Sequence, residues 1–196
     1  MIHLFRKGES EETILLLHGT GGNEKDMLDM GFFLNEKANL LSIRGSVVEN
    51  GMARFFKRFS PGVYDVEDLN QRTLELHNFI LWASHHYGFA LDKVTAFGFS
   101  NGANILVNYL FHYNTLKKAI LSHPIIPNIP NNRPSLEDTK LFIGAGENDP
   151  LTTIETTEQL IMLFTEQDAD VITFFTKNGH QLTHELLQEM KTWLRK

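Results

Sequence analysis

The hydrophobic and polar positions of the 196-residue chain define two kinds of segment that alternate along it. The first kind is a short apolar run of Ile, Leu, Val, Phe and Thr that usually ends at Gly, Pro or His. Such runs are typical of strands that are buried on both faces of a sheet. Six of them predict six strands, at residues 13–19, 40–45, 93–100, 118–124, 140–146 and 170–176.

Longer amphipathic stretches lie between these runs and predict helices. Residues 69–87 place apolar side chains at spacings of three and four, and residues 101–113 are apolar nearly all round. Two more helices are predicted over 155–167 and 184–195, with Thr183 as the N-cap of the last. The alternation predicts an α/β fold in which helices flank a mostly parallel sheet of about six or seven strands.

The segment 45–66 interrupts this alternation. We interpret it as one long irregular stretch, which in a compact domain is usually functional or mobile. No linker that would mark a second domain is visible, and 196 residues suit one domain. We therefore predict a single α/β domain over residues 1–196.

Composition excludes several classes of protein. Hydrophobic residues make up 42% of the chain and aromatic residues 11%, which is enough for a sizeable core and argues against disorder. A formal charge of −6 without a basic stripe argues against nucleic acid or an anionic membrane as the partner. The lack of cysteine excludes disulfides, zinc–thiolate sites and a cysteine nucleophile. No apolar run has the length of a signal peptide or membrane span, so we expect a cytoplasmic protein.

The stretch FGFSNGAN, residues 97–104, carries a candidate nucleophile, Ser100. A strand-like run precedes it directly and a helix-like run follows, which is the setting of a nucleophile elbow. Gly98 and Gly102 lack side chains where the strand and the helix would otherwise collide. The backbone N–H of Asn101, at the helix N-terminus, is then a candidate oxyanion donor. The alternative is a glycine-rich corner with an incidental serine.

A nucleophilic serine needs a histidine base and an acid that orients it, here expected in the order Ser, acid, His on loops after later strands. Asp149 and His180 each follow a predicted strand, in that order. Asp149 could instead be a turn residue before Pro150, and Glu147 is the reserve acid. His184 is the rival base, but it falls in the last predicted helix.

Two other features of the sequence resemble binding motifs. The Gly-rich turn in LLLHGTGGNE resembles a phosphate loop, but no G-K-[ST] follows it. We expect this turn instead to supply the second oxyanion donor, for which the N–H of Thr20 is the candidate. His180 and His184 have the spacing of a metal pair. Gly179 disfavours a helix at His180, however, and no HExxH-type glutamate accompanies the pair, so no metal is expected.

The segment 45–66 is long enough to overhang Ser100. We hypothesise that Phe55 and Phe56 wall a modest acyl or aromatic pocket. The alternative is that they form a satellite core beneath the segment. His123 ends another predicted strand and is a candidate for the pocket lining, although a structural role suits it equally well.

With HGTGG, GFSNG, GENDP and NGH in this order, the sequence resembles the α/β-hydrolase superfamily over nearly its full length. More narrowly, it resembles the bacterial carboxylesterases of the phospholipase/carboxylesterase family, relatives of the acyl-protein thioesterases. The resemblance implies Ser100, Asp149 and His180 as the triad and the N–H groups of Thr20 and Asn101 as the oxyanion hole. It also implies a small hydrolase without a large cap domain, often a homodimer.

One position departs from that family's pattern. The thioesterases usually carry Gln after the nucleophile, whereas this chain has Asn101, which puts the thioesterase substrate in doubt. The sequence predicts a serine hydrolase that cleaves small carboxylic esters without a cofactor or metal. The alternatives are lysophospholipase or acyl-protein thioesterase activity at the same site, a peptidase with the same triad, and a non-catalytic ligand-binding protein on the same fold.

Overall fold

The computed structural model describes residues 1–196 and contains eleven strands, five α-helices and one short 3-10 helix, Leu91–Lys93. In chain order the strands and α-helices are β1 (His3–Arg6), β2 (Thr13–Leu17), α1 (Leu28–Leu34), β3 (Asn39–Ile43), β4 (Val47–Glu49), β5 (Met52–Arg54), β6 (Arg58–Ser60), β7 (Val63–Tyr64), α2 (Val66–Tyr87), β8 (Val94–Phe99), α3 (Asn101–His112), β9 (Lys118–Ser122), β10 (Lys140–Gly146), α4 (Ile154–Thr165), β11 (Asp170–Thr176) and α5 (His184–Leu194).

Seven of the strands form one sheet, in the order β1-β3-β2-β8-β9-β10-β11. All neighbours pair in parallel except β1, which runs antiparallel to β3 at one edge. The six predicted strands are all in this sheet, which confirms the mostly parallel α/β fold. β1 was not predicted, because its four residues show no period and its strand conformation depends on pairing with β3.

The core lies on both faces of the sheet, because successive side chains of a strand point to opposite sides. In the interior strand β2, Leu15 and Leu17 belong to one buried apolar cluster, whereas Ile14 and Leu16 belong to another. The first cluster includes side chains from α2, α3 and α4, and the second includes side chains from α1 and α5. The sheet is therefore covered by three helices on one face and two on the other.

Local sequence explains where the helices lie. α3 is the most central helix, and its residues from Asn101 to Phe111 are all buried, as its nearly uniform apolar pattern predicts. Thr183 caps α5 through its side chain, which accepts the N–H of Leu186 at 3.2 Å. α1 was not predicted, because it has only seven residues and no side-chain N-cap. No helix is both long enough and apolar enough to cross a bilayer.

The prediction that segment 45–66 is irregular is wrong. The segment forms two hairpins, in which β4 pairs with β5 and β6 pairs with β7. The first turn is Asn50-Gly51, and both residues have the positive φ (51° and 77°) that the favoured two-residue hairpin turns require. The second turn places Gly62 at φ 79° after Pro61. Both turns carry the residues that the backbone demands, but their strands are too short to show a period of two.

Candidate active site

Ser100 lies at the junction of β8 and α3, in a strained backbone conformation with φ 52° and ψ −114°. A non-glycine residue in such a region costs about 1–3 kcal/mol and persists only where the surroundings enforce it. Here its N–H donates to the carbonyl oxygen of Ser122 in β9 at 2.9 Å, and its own carbonyl accepts the N–H of Asn104 in α3 at 2.9 Å. The sheet and the helix together therefore hold the hydroxyl of Ser100 at the end of β8.

The two glycines beside Ser100 allow the strand and helix to meet closely. A Cβ atom on Gly102 would overlap the carbonyl oxygen of Leu17, at the end of β2. A Cβ atom on Gly98 would lie 2.5 Å from the carbonyl oxygen of Gly102. In both cases the added Cβ atom would lie far inside the normal contact distance of a backbone oxygen, so only glycine fits at either position without a backbone shift. The two glycines act as the elbow hypothesis requires.

Ser100, His180 and Asp149 are joined by two hydrogen bonds. His180 Nε2 lies 2.8 Å from Ser100 Oγ, and His180 Nδ1 lies 2.7 Å from Asp149 Oδ2. Because a carboxylate only accepts, Nδ1 carries the proton that it donates to Asp149, and Nε2 is free to accept the proton of Ser100. The side chain of Asp149 is fully buried, whereas that of His180 is partly open to solvent.

Backbone donors fix the orientation of Asp149. Its Oδ1 accepts the N–H of Leu151 at 2.8 Å and that of Thr152 at 3.2 Å, which leaves Oδ2 directed at His180. The reserve residues lie elsewhere. Glu147 is exposed on the same loop, and His184 is exposed in the first turn of α5, where Gln188 is its neighbour.

His123 is a buried neighbour of His180. It has φ 52°, and its Nε2 donates to the carbonyl oxygen of Gly179, directly before His180, at 3.1 Å. Its Nδ1 accepts from Ser122 Oγ at 2.9 Å, and its ring meets that of His180 edge-on at 5.1 Å. Burial lowers the pKa of His123, and a proton on His180 lowers it further. His123 is therefore neutral near pH 7 and supports the loop that carries His180.

The backbone N–H groups of Thr20 and Asn101 make no hydrogen bond within the chain, so both are free donors beside Ser100. Strand β5 and the residue after it hold the segments that carry them. Ala53 accepts the N–H of Gly21 at 2.9 Å, and Arg54 Nη1 donates to Thr20 Oγ1 at 2.8 Å. Asn101 Oδ1 accepts the N–H of Phe55 at 2.7 Å. One short segment therefore contacts both candidate oxyanion donors.

Comparison with known proteins identifies the family. The chain is 46% identical over 194 residues to the Bacillus subtilis (strain 168) protein named "Putative hydrolase MhqD", with 98% of this chain and 97% of that protein covered. The crystal structure of the Bacillus cereus carboxylesterase matches with a TM-score of 0.96 at 42% identity, covering 98% of this chain and 92% of that one. The chain belongs to the bacterial carboxylesterases of the α/β-hydrolase superfamily.

A carboxylesterase from Mesorhizobium loti matches this α/β-hydrolase with a TM-score of 0.89 at 25% identity, covering 96% of this chain and 90% of that one. No protein-family model matches the chain. The matched carboxylesterase structures indicate esterase-type hydrolysis as the activity class of the family. The arrangement around Ser100 is the candidate site for this activity. No group of three or more His, Cys, Asp or Glu side chains is placed to hold a metal ion.

In this chain, a cavity of about 340 Å³ lies beside Ser100. Thr20 and Asn101 lie in its lining, together with residues from the hairpins and from the loops after β9 and β10. The hairpin residues that line it are Arg54, Arg58, Pro61, Gly62 and Tyr64. The segment 45–66 therefore does overhang the serine, as its length predicts, but through other side chains than those predicted.

The structure does not bring Phe55 and Phe56 to this cavity, which corrects our pocket hypothesis. Their side chains are 1% and 0% exposed and belong to the main apolar cluster beneath the sheet. The alternative reading, burial under the segment, describes them better, although the cluster is the core itself rather than a satellite. His123 is likewise absent from the lining and fully buried.

Sequence reasoning missed the polar side of the cavity. Arg54 and Arg58 are four residues apart in a segment that we interpreted as irregular, so nothing indicated which side chains face inwards. The signal that could have found them is the Asn50-Gly51 turn, because it fixes the pairing of β4 with β5 and sets Arg54 opposite Val47.

His18 is a further residue whose role the sequence did not show. Its Nε2 accepts the N–H of Gly45 at 3.0 Å, and its Nδ1 donates to the carbonyl oxygen of Gly19 at 2.6 Å. Burial lowers its pKa, so it is neutral near pH 7 and can accept at Nε2. This histidine joins the Gly-rich turn to the chain after β3 and so supports the loop that carries Thr20.

Proposed function

We propose that this carboxylesterase-family hydrolase is a serine esterase that cleaves compact carboxylic esters through an acyl-enzyme. The observation that carries the proposal is the hydrogen-bonded line from Ser100 Oγ through His180 to Asp149, at 2.8 Å and 2.7 Å. These distances lie within the reach expected of a nucleophile, its base and the group that orients the base.

In the first half of the reaction, Ser100 Oγ attacks the ester carbonyl carbon while His180 Nε2 takes its proton. Asp149 accepts the Nδ1 proton throughout, which keeps the imidazole in the tautomer that can act as base and stabilises the imidazolium. The buried side chain of Asp149 and its two backbone donors keep the carboxylate in place for this task.

The carbonyl oxygen becomes an oxyanion, for which the N–H groups of Thr20 and Asn101 are the proposed donors. Each is free of other partners and lies in the lining of the cavity beside Ser100. One such donor is worth about 3–4 kcal/mol of transition-state stabilisation in other serine hydrolases.

In the second half, the protonated His180 gives its proton to the leaving alcohol, and the C–O bond of the ester breaks. His180 then takes a proton from water, whose oxygen attacks the acyl carbon, and the proton returns to Ser100 Oγ as the carboxylic acid leaves. The cycle balances without a metal or cofactor.

The size of the cavity favours compact esters over lysophospholipids. Its volume of about 340 Å³ is near the lower end of the roughly 300–1,000 Å³ of small-molecule sites. Its lining includes two arginines, and a long acyl chain gains nothing from guanidinium groups. We therefore expect short acyl groups to be preferred.

The test is hydrolysis of p-nitrophenyl esters from acetyl to decanoyl by the wild type and Ser100→Ala. We expect a preference for the short chains and a loss of kcat of about 10³-fold or more in the variant. His180→Gln should be similarly impaired, whereas His184→Gln, which alters the exposed rival histidine, should retain activity. An active Ser100→Ala variant, or a wild type inactive on every ester, would refute the proposal.

A further inference from the structure

Two arginines and no carboxylate line the cavity beside Ser100. Asp149 is linked to Ser100 through His180, but its oxygens face His180 and the N–H groups of Leu151 and Thr152, and it is not in the cavity lining. A neutral ester would need no cation at this place. Arg54 holds the Thr20 segment, but hydrolysis of a neutral ester does not require a second guanidinium group, that of Arg58, in the lining.

Arg54 is the deeper of the two. It is only 4% exposed, yet it lines the cavity. Nη1 donates to Thr20 Oγ1 at 2.8 Å and Nε contacts the carbonyl oxygen of Phe56 at 3.4 Å, whereas Nη2 has no hydrogen-bond partner in the chain. Burial, and next the charge of Arg58, lower the pKa of Arg54, so an anion at this position would relieve an unfavourable environment.

The side chain of Arg58 is more exposed than that of Arg54. Its Nε donates to Glu49 Oε2 at 3.2 Å, and neither Nη atom has a hydrogen-bond partner in the chain. Glu49 Oε2 also lies 3.4 Å from Arg54 Nε, so one carboxylate serves two guanidinium groups. The cluster of Arg54, Arg58 and Glu49 carries one positive charge in excess.

The neutral polar groups of the lining can also donate hydrogen bonds. Asn104 uses its Oδ1 to accept the N–H of Ile125 at 2.9 Å, which leaves its Nδ2 available. Burial raises the pKa of Tyr64, so its hydroxyl remains protonated and able to donate. Unpaired donors and an excess positive charge in the lining of one cavity are the features that recognise an anion.

We propose that the esterase site selects esters that carry a carboxylate, which pairs with Arg54 and Arg58 while the ester carbonyl lies at Ser100. A single carboxylate matches the single excess positive charge. Because Arg54 contacts Thr20, a candidate oxyanion donor, the carboxylate must lie a few bonds from the ester, as in half-esters of short dicarboxylic acids or acyl esters of hydroxybenzoates. This inference rests on the proposed esterase function.

The test compares esters that differ only in charge. In one series the leaving group changes, with 4-acetoxybenzoate against methyl 4-acetoxybenzoate. In the other series the acyl group changes, with mono-p-nitrophenyl adipate against methyl p-nitrophenyl adipate, in which the free carboxylate is masked as a methyl ester. We expect kcat/KM to favour the carboxylate by about tenfold or more in at least one series, as hydrogen bonds between charged groups allow. The preference should shrink as NaCl is added.

Variants of Arg58 test the origin of that preference, because Arg58 does not contact Thr20. Arg58→Gln should remove most of the preference, because kcat/KM should fall more for the carboxylate ester than for its neutral counterpart, whereas Arg58→Lys should retain part of the preference. Arg6→Gln removes the same charge from an exposed position on β1 and is the matched control. Circular dichroism and activity on the neutral ester show whether each variant is folded.

The outcomes separate this inference from the proposed function. If the wild type hydrolyses the neutral esters, Ser100→Ala does not, and neither series shows a charge preference, then the esterase proposal stands and this inference is wrong. It is also wrong if Arg58→Gln keeps the full preference, or if 4-acetoxyphenyl phosphate is preferred to 4-acetoxybenzoate by tenfold. Failure to hydrolyse any ester would instead overturn the proposed function.

Discussion

The reacting groups and the cavity wall are built in different ways. Ser100, Asp149 and His180 each follow a strand of the seven-stranded sheet and lie on segments held by buried hydrogen bonds. The wall comes from the two hairpins of segment 45–66, whose outer side chains are open, with Phe59 76% exposed. The difference teaches that the chemistry depends on packing across the sheet, whereas the shape of the cavity depends on local turn residues.

The two parts meet at β5. Ala53, Arg54 and Phe55 contact the Thr20 loop and Asn101, so the wall also holds the candidate oxyanion donors. Changes on the sheet side should therefore abolish activity or folding. Changes in the hairpins should have graded effects that depend on their distance from β5.

The largest effect is expected from Asp149→Asn, on the sheet side. Asparagine cannot serve as an anionic acceptor for His180 Nδ1, so the wrong tautomer of His180 is populated, which costs about 10⁴-fold in kcat in a serine protease. We expect a loss of about 10³–10⁴-fold, measured with p-nitrophenyl acetate. Glu147→Gln, on the same loop, is the control and should change kcat little. Equal losses in the two variants would contradict the choice of Asp149.

Alanine substitution of one glycine in the sheet region and one in the hairpins tests directly how differently the two regions depend on packing. In Gly102→Ala the new methyl group meets the backbone of Leu17, which cannot move aside, and we expect a loss of about 3 kcal/mol or more of unfolding free energy. In Gly51→Ala nothing lies within 4 Å, so only the positive φ opposes the change, at about 1–2 kcal/mol. Urea denaturation measures both. A Gly51→Ala variant less stable than Gly102→Ala would reverse the account.

Asn101 joins the two sides, and its truncation tests that junction. Asn101→Ala leaves the buried N–H of Phe55 without an acceptor, which should lower the free energy of unfolding by about 1–3 kcal/mol. Because the candidate oxyanion donors shift, kcat should fall by up to about 10²-fold. Asn132→Ala, at an exposed position without hydrogen bonds, is the control. The hypothesis of a junction fails if Asn101→Ala matches the wild type in both stability and kcat.

The smallest effect is the pH dependence of stability, which arises on the sheet side alone, since segment 45–66 has no histidine. Burial lowers the pKa of His18, His77, His112 and His123. Unfolded histidines bind protons near pH 6.5, so below that pH the unfolded state binds more protons than the folded state. The free energy of unfolding should therefore fall as the pH drops from about 6.5. The fall should be up to about 1 kcal/mol per pH unit for each of the buried His18 and His123, and smaller for the partly exposed His77 and His112.

Urea denaturation between pH 7.5 and 5.5 measures this dependence. His123→Gln should reduce the slope of stability against pH, whereas His85→Gln, at an exposed position on α2, should leave it unchanged. Stability that is constant or rises as the pH falls through this range would contradict the prediction.

How much the sequence could predict follows the same division. The parallel strands were predicted because burial on both faces leaves continuous apolar runs, and those runs then placed Ser100, Asp149 and His180 after strands. The structure brings the three side chains together, and their catalytic role stays a prediction. The glycines around Ser100 also predicted a close approach of the preceding strand to the following helix, and Gly98 and Gly102 make that approach. The contact of Gly102 with Leu17 in β2 was not predicted.

The wall could not be predicted in the same way. β4 and β5 have three residues each, too few for a period of two to appear, and Asn50-Gly51 is the only local signal of their pairing. Chemical type was misleading as well, because an aromatic pair suggested an acyl pocket. Phe55 and Phe56 are instead drawn into the core by their apolar area, and Arg54 is held at the cavity by Thr20 and Glu49.

The central claim is that Ser100 is the nucleophile, and covalent trapping tests it most directly. The wild type and Ser100→Ala would be treated with a fluorophosphonate, which reacts with activated serines, and studied by intact mass and peptide mapping. The account predicts one adduct per chain on Ser100 in the wild type and none in Ser100→Ala. An adduct on another serine, such as the neighbouring Ser122, or ester hydrolysis by a wild type that is never labelled, would contradict it.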